Sequence, residues 1–129
     1  MADELTPEEL AFLQQVFEDA RNGDIGGVTR ALDAGVPVDL TNSAGDTPLI
    51  LAAYHSHEQL VRVLLERGAD HSRVNDRGQT ALAAAVFRRA SAIVGALLAA
   101  GADPDLGPQS ARTVARFFEL DEMAALLPE

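Results

Sequence analysis

One period constrains this chain more than any other feature. The string "GDTPLILAA" at residues 45–53 returns 33 residues later as "GQTALAAAV" at residues 78–86. Laying residues 45–70 over 78–103 gives ten identities in 26 positions: the Gly, Thr, Leu and Ala of the opening string, a Val, a Leu-Leu pair and Gly-Ala-Asp. A fixed period of this length is the signature of a stacked array. Units of this kind recur because none can bury its apolar face alone.

The content of one unit follows from its spacing. Leu49, Ala52 and Ala53 fall at helical intervals, and Leu60, Val61, Leu64 and Leu65 form a second apolar stripe of the same period, so each unit is two helices. Thr47 offers a hydroxyl to the first helix and Pro48 sits where a missing N–H does no harm; Thr80 repeats the cap, followed by Ala81. Gly35, Gly68 and Gly101 each follow an apolar run and suit the left-handed residue that ends a helix. "NSAG" (42–45) and "NDRG" (75–78) place Asn first and Gly fourth in a type I turn between units. Upstream, Thr6, Pro7, Glu8 and Glu9 start a helix expected over about residues 7–21, and Gly26 with Gly27 makes the next helix the weakest.

The totals narrow the function classes. The chain has 129 residues, enough for one domain with a modest core or a short array. Its longest apolar runs, such as residues 81–87, fall far short of the ~20 residues that cross a bilayer, so no membrane is expected. "MADELTPEEL" lacks the basic start of an export signal, which leads to a cytoplasmic expectation. No cysteine is present, removing disulfides, cysteine-type zinc sites and thiol nucleophiles. Net charge is −10, and residues 1–41 hold nine acids against two bases. Phosphate backbones would be repelled, so nucleic acid is not an expected partner; the acidic N-terminal third favours a partner protein with a basic patch.

These residues resemble the ankyrin repeat, whose pattern is Gly-x-Thr-Pro-Leu-His-x-Ala-Ala, then a Val and Leu-Leu, then Gly-Ala-Asp. "GDTPLILAA", "LVRVLLERGAD" and "ALLAAGADP" carry nearly all of it. Departures fall at Ile50 and Ala83, where the family usually has His, and at Ser56 and Arg89, where it usually has Gly and where the helix junctions are expected to loosen slightly. "FEDARNGDIGGVTRALDAGVPVD" is similar to a degenerate first repeat with Ala20, Gly23, Val28, Leu32 and Gly35 in register. "SARTVARFFELDEMAALL" is similar to a truncated last one if Ser110 replaces Thr47 and Leu127 replaces Leu64, which puts Arg112 at a normally buried Leu position. The resemblance implies an all-α solenoid of about four helix-turn-helix units with β-hairpin-like loops: residues 7–41, 42–74, 75–106 and 107–129, in one domain. It implies a non-enzymatic protein-binding module with no cofactor, which we expect to be monomeric.

His55, His57 and His71 lack a fourth His or Cys for tetrahedral zinc, and His57 occupies the family's usual His, which bonds locally between helices. Glu119, Asp121 and Glu122 have no nucleophile or phosphate loop nearby, so a small metal-dependent hydrolase is the remote alternative and a self-assembling structural subunit the nearer one. Stacking the repeats sets Tyr54 and Phe87 on neighbouring rungs. In the family this position and the next, His55 and Arg88, face the concave groove, while Asp46, Asp76, Arg77 and Gln79 lie on the hairpin tips. Aromatic and Arg side chains dominate interface energetics, which makes these eight the expected partner-binding residues. Phe117 and Phe118 are expected to finish the core at the C-terminal end.

Overall fold

The computed structural model describes residues 4–129, and among these all regular structure is helical. Eight helices follow in pairs: α1 (Pro7–Asn22), α2 (Ile25–Asp33), α3 (Pro48–Tyr54), α4 (Glu58–Glu66), α5 (Ala81–Phe87), α6 (Ser91–Ala99), α7 (Ala111–Phe117) and α8 (Asp121–Leu126). The first helix of each pair packs on the first helices of its neighbours, α1 on α3, α3 on α5 and α5 on α7. The second helices α2, α4, α6 and α8 form the other layer, so the molecule is a two-layer stack.

The anticipated caps set the starts of the first helices. Thr47 Oγ1 accepts the Ile50 N–H at 3.1 Å, Thr80 Oγ1 the Ala83 N–H at 3.1 Å, and Ser110 Oγ the Thr113 N–H at 3.2 Å. Thr6 adds a reciprocal pair with Glu9: its hydroxyl accepts from the Glu9 N–H while the Glu9 carboxylate accepts from its own. The second helices have no side-chain cap at His57, Ala90 or Leu120 and are held by packing. Asp24 caps α2, and Gly27 is buried where an added Cβ would press on the Asp19 carboxylate of α1. Glycine there lets α2 approach α1, which offsets its low helix propensity.

The core lies between the layers. Leu49, Leu60 and Leu64 of one pair, with Leu82, Ile93 and Leu97 of the next, are fully buried. Val28 and Ala20 extend the core toward α1, and Val114, Met123 and Leu127 close it beyond α7. Arg112, at a normally apolar position, stays partly exposed; its guanidinium binds Asp105 at 2.7 Å and also donates to the Pro128 carbonyl.

Between the helices of each pair the backbone turns through a left-handed residue: Gly23 (φ 72°), Ser56 (62°), Arg89 (57°) and Glu119 (53°). The junction keeps its shape where glycine is replaced, so the cost of a Cβ is absorbed as strain and not as an altered turn. Arg89→Gly is expected to raise unfolding free energy by about 0.5–1 kcal/mol, the relief of left-handed strain being partly offset by glycine's freedom in the unfolded chain. A urea denaturation midpoint that falls would contradict this.

The connecting turns close as expected, with the Gly45 N–H donating to the Asn42 carbonyl at 3.0 Å and the Gly78 N–H to the Asn75 carbonyl at 2.9 Å. Successive tips are tied together by the Asp76 N–H donating to the Ala44 carbonyl and the Gln109 N–H to the Gly78 carbonyl, both at 3.0 Å. The hairpin-like loops therefore form a ladder of turns; none of their described residues is in a strand.

Candidate functional site

The C-terminal ends of α3, α5 and α7 carry side chains onto one face. Tyr54 and Phe87 stack with centroids 6.1 Å apart and planes 14° from parallel, and Phe87 meets Phe118 edge-on at 5.4 Å. Tyr54 is half-buried and packs against the core, and Phe87 is 37% exposed, so the pair is a partly open surface whose rings support each other. The Arg88 guanidinium lies 5.3 Å from the Tyr54 centroid and that of Arg77 lies 5.8 Å away, within the range of cation–π attraction.

Phe117 and Phe118 do not finish the core. They are 78% and 49% exposed, and the buried C-terminal side chains are Val114, Ala115, Leu120, Met123 and Leu127. With Ser110 matched to Thr80, Phe117 falls at the Phe87 position and Phe118 at the Arg88 position, which is why they emerge on the aromatic face. The same register run backward from Tyr54 reaches Arg21, which lines the cleft beside Tyr54 and which the degenerate first repeat hides from sequence pattern.

The tip residues divide into two kinds. Asp76 and Arg77 are exposed and Gln79 is half-buried, whereas Asp46 is only 5% exposed. Its carboxylate accepts from Asn75 Nδ2 at 2.8 Å, and Asn75 in turn accepts the Arg77 and Gln79 N–H groups at 3.0 Å. Asp46 therefore braces one turn against the next and is not an open contact. Asp46→Ala is expected to cost about 1–3 kcal/mol, because a buried amide donor loses its partner. Thermal or denaturant unfolding unchanged by that substitution would count against the brace.

The histidines have separate local roles. His57 Nε2 donates to the Arg21 carbonyl at 2.6 Å, joining α4 to the end of α1, and His71 Nε2 donates to the Ala100 carbonyl at 3.1 Å. His55 is exposed on the aromatic face, edge-on to Tyr54 at 5.2 Å. Its pKa is held below the usual histidine value by partial desolvation first, then by His57, Arg88 and Arg21; Asp46 acts in the opposite direction. Among the described residues, no three His, Asp or Glu side chains gather closely enough to share a metal ion. No helix there is long and apolar enough to cross a membrane.

A cleft of about 320 Å³ opens beside Tyr54, lined by Arg21, Asn42, Ser43, Asp46, His55 and Arg77 among others. The arrangement offers flat aromatic surface, forked guanidinium donors and turn amides, which are means of holding another chain.

Known proteins share this architecture. The family model for ankyrin repeats, in three copies, matches residues 17–107. A putative ankyrin repeat protein of Pseudomonas aeruginosa is 40% identical over 60 residues, covering 46% of this chain and 35% of that protein. The ankyrin repeat, SAM and basic leucine zipper domain-containing protein 1 of Nomascus leucogenys is 50% identical over 50 residues, 39% of this chain and 10% of that protein. The crystal structure of the human ASB11 ankyrin repeat domain superposes with a TM-score of 0.75 at 26% identity, covering 86% of this chain and 51% of that one. The chain thus matches about half or less of the length of each of these relatives. Repeats of this kind are generally protein–protein interaction modules and typically lack enzymatic activity. With the family model spanning most of its length and the stack of helix pairs matching in three dimensions, the chain belongs to the ankyrin-repeat family.

Proposed function

We propose that this protein is a non-enzymatic, monomeric, cytoplasmic binding module that holds a partner protein on its concave face and hairpin tips. Four units, residues 7–41, 42–74, 75–106 and 107–129, would form the scaffold. Tyr54, His55, Phe87, Arg88, Asp76, Arg77 and Gln79 make the contact, with Asp46 bracing the tips from behind. The open stack of Tyr54 on Phe87, flanked by Arg77 and Arg88, is the observation that carries this reading. Such side chains anchor interfaces, and a scaffold formed beforehand binds at little ordering cost. The nine acids among the first 41 residues suit a basic patch elsewhere on the partner.

The test is affinity capture with the intact chain beside its Tyr54→Ala/Phe87→Ala variant, quantified by mass spectrometry. A protein retained by the first and lost by the second supports the reading; identical captures contradict it. Apolar side chains open at both ends, including Leu10, Phe12, Phe117 and Leu126, favour a second reading as a self-binding subunit. Light scattering over a concentration series separates the two, a constant monomer mass being the expected result. With net charge −10, neither duplex nor single-stranded DNA should be retarded by micromolar protein at about 150 mM salt.

A further inference from the structure

The cleft beside Tyr54 is richer in cationic groups than the rest of the molecule. The chain carries −10 overall, yet the charged side chains lining this cleft are Arg77, Asp46 and Arg21, the last paired with Glu18, with His55 beside them. Asp46, its single carboxylate, is buried and occupied by Asn75 and by Arg77 at 3.7 Å. Arg77 remains 59% exposed despite that contact. Arg88 lies over the Tyr54 ring, and among the described residues no carboxylate comes within ion-pair distance of it. Exposed guanidinium donors thus stand beside an open aromatic surface.

We propose that this cleft takes an acidic segment of a partner protein, with one or more Asp or Glu side chains on Arg77 and Arg88 and a neighbouring aromatic or aliphatic side chain on the Tyr54–Phe87 stack. The proposal rests on the binding-module reading and adds the chemistry of the partner. Arginine's planar fork matches a carboxylate with two parallel hydrogen bonds, and its position over an aromatic ring limits the freedom lost on pairing. The flat rings give the apolar anchor its surface. A basic segment laid in the cleft would meet Arg77 and Arg88, while the carboxylates beside them are engaged, Asp46 by Asn75 and Arg77, and Glu18 by Arg21.

His55 provides an independent readout. Desolvation first, then His57, Arg88 and Arg21, lower its pKa against the weaker pull of Asp46, and Arg77 lines the same cleft. A bound carboxylate opposes that positive field and raises the His55 pKa, so binding takes up a proton. Affinity should then rise as pH falls from 7.5 to 6.0, where Asp and Glu in the ligand stay ionised.

The experiment screens a random-peptide array with the intact chain, then measures the strongest peptides by fluorescence anisotropy. Enrichment of Asp or Glu beside Phe, Trp or Leu is expected, with about tenfold weaker binding for Arg88→Gln or Arg77→Gln and no such loss for Arg62→Gln on α4. The affinity gain on acidification should disappear in His55→Gln. Melting curves of each variant exclude unfolding as the cause. Enrichment of basic peptides, no enrichment at all, or acidic peptides indifferent to Arg77 and Arg88 would overturn the proposal. Basic peptides lost on Tyr54→Ala/Phe87→Ala would overturn it while leaving the binding face intact, whereas peptides indifferent to that double substitution would overturn the face itself.

Discussion

Replacing Leu64 or Leu97 by alanine will lower the stability of the fold by about 2–5 kcal/mol each. Both side chains are fully buried, and they occupy equivalent positions on α4 and α6, which pack on each other. Truncation removes favourable transfer of the lost methyl groups and leaves a cavity that its neighbours fill only partly, since Leu60, Ile93 and Val94 are themselves fixed by the stack. Neither side chain reaches the aromatic face, so partner binding by the folded fraction should be unchanged. Equilibrium urea denaturation gives the answer; an unaltered midpoint for either variant would refute the stacking register.

The opposite pattern is expected for Tyr54→Ala/Phe87→Ala. Losing both rings should weaken a captured partner by more than about 2 kcal/mol, as loss of central aromatic anchors does. The cost to the fold should be moderate, about 2 kcal/mol, because the rings lose their stacking on each other and half-buried Tyr54 loses packing against the core, while Phe87 is 37% exposed. Isothermal calorimetry with the partner and thermal unfolding of the free protein measure the two effects separately. A sharp loss of stability would assign the pair to the seam between helices and move the binding surface to the tips around Asp76, Arg77 and Gln79. Arg116, exposed on α7, serves as a control whose replacement by alanine should change either property by no more than about 0.5 kcal/mol.

The fold could be read from the sequence because each local signal in the chain agreed with the period. Thr47, Thr80 and Ser110 cap where their positions say they should, and Gly68 and Gly101 end helices at positive φ. Even the 30-residue offset of the last unit was visible through Ser110 and Leu127. The site was legible only in part. Tyr54 and Phe87 stack as the period requires, but Asp46 is polar and sits in a turn, which reads as exposed until Asn75 of the following turn is seen reaching across to it. That partner lies 29 residues away, beyond any local pattern. Hydrophobicity alone places Phe117 and Phe118 in the core, whereas register puts them on the aromatic face; periodicity is the better guide where a terminal unit has one layer open to water. The first repeat departs most from the pattern, which hides the place of Arg21 in the Tyr54 column.

Amide hydrogen exchange of the chain with and without a captured partner tests the central claim most directly. Binding on the aromatic face and tips predicts new protection concentrated at residues 43–46, 54–55, 76–79 and 87–88, with the outward layer formed by α4 and α6 unchanged. Protection appearing on α4 and α6 while the tips and the ends of α3 and α5 exchange as before would contradict it.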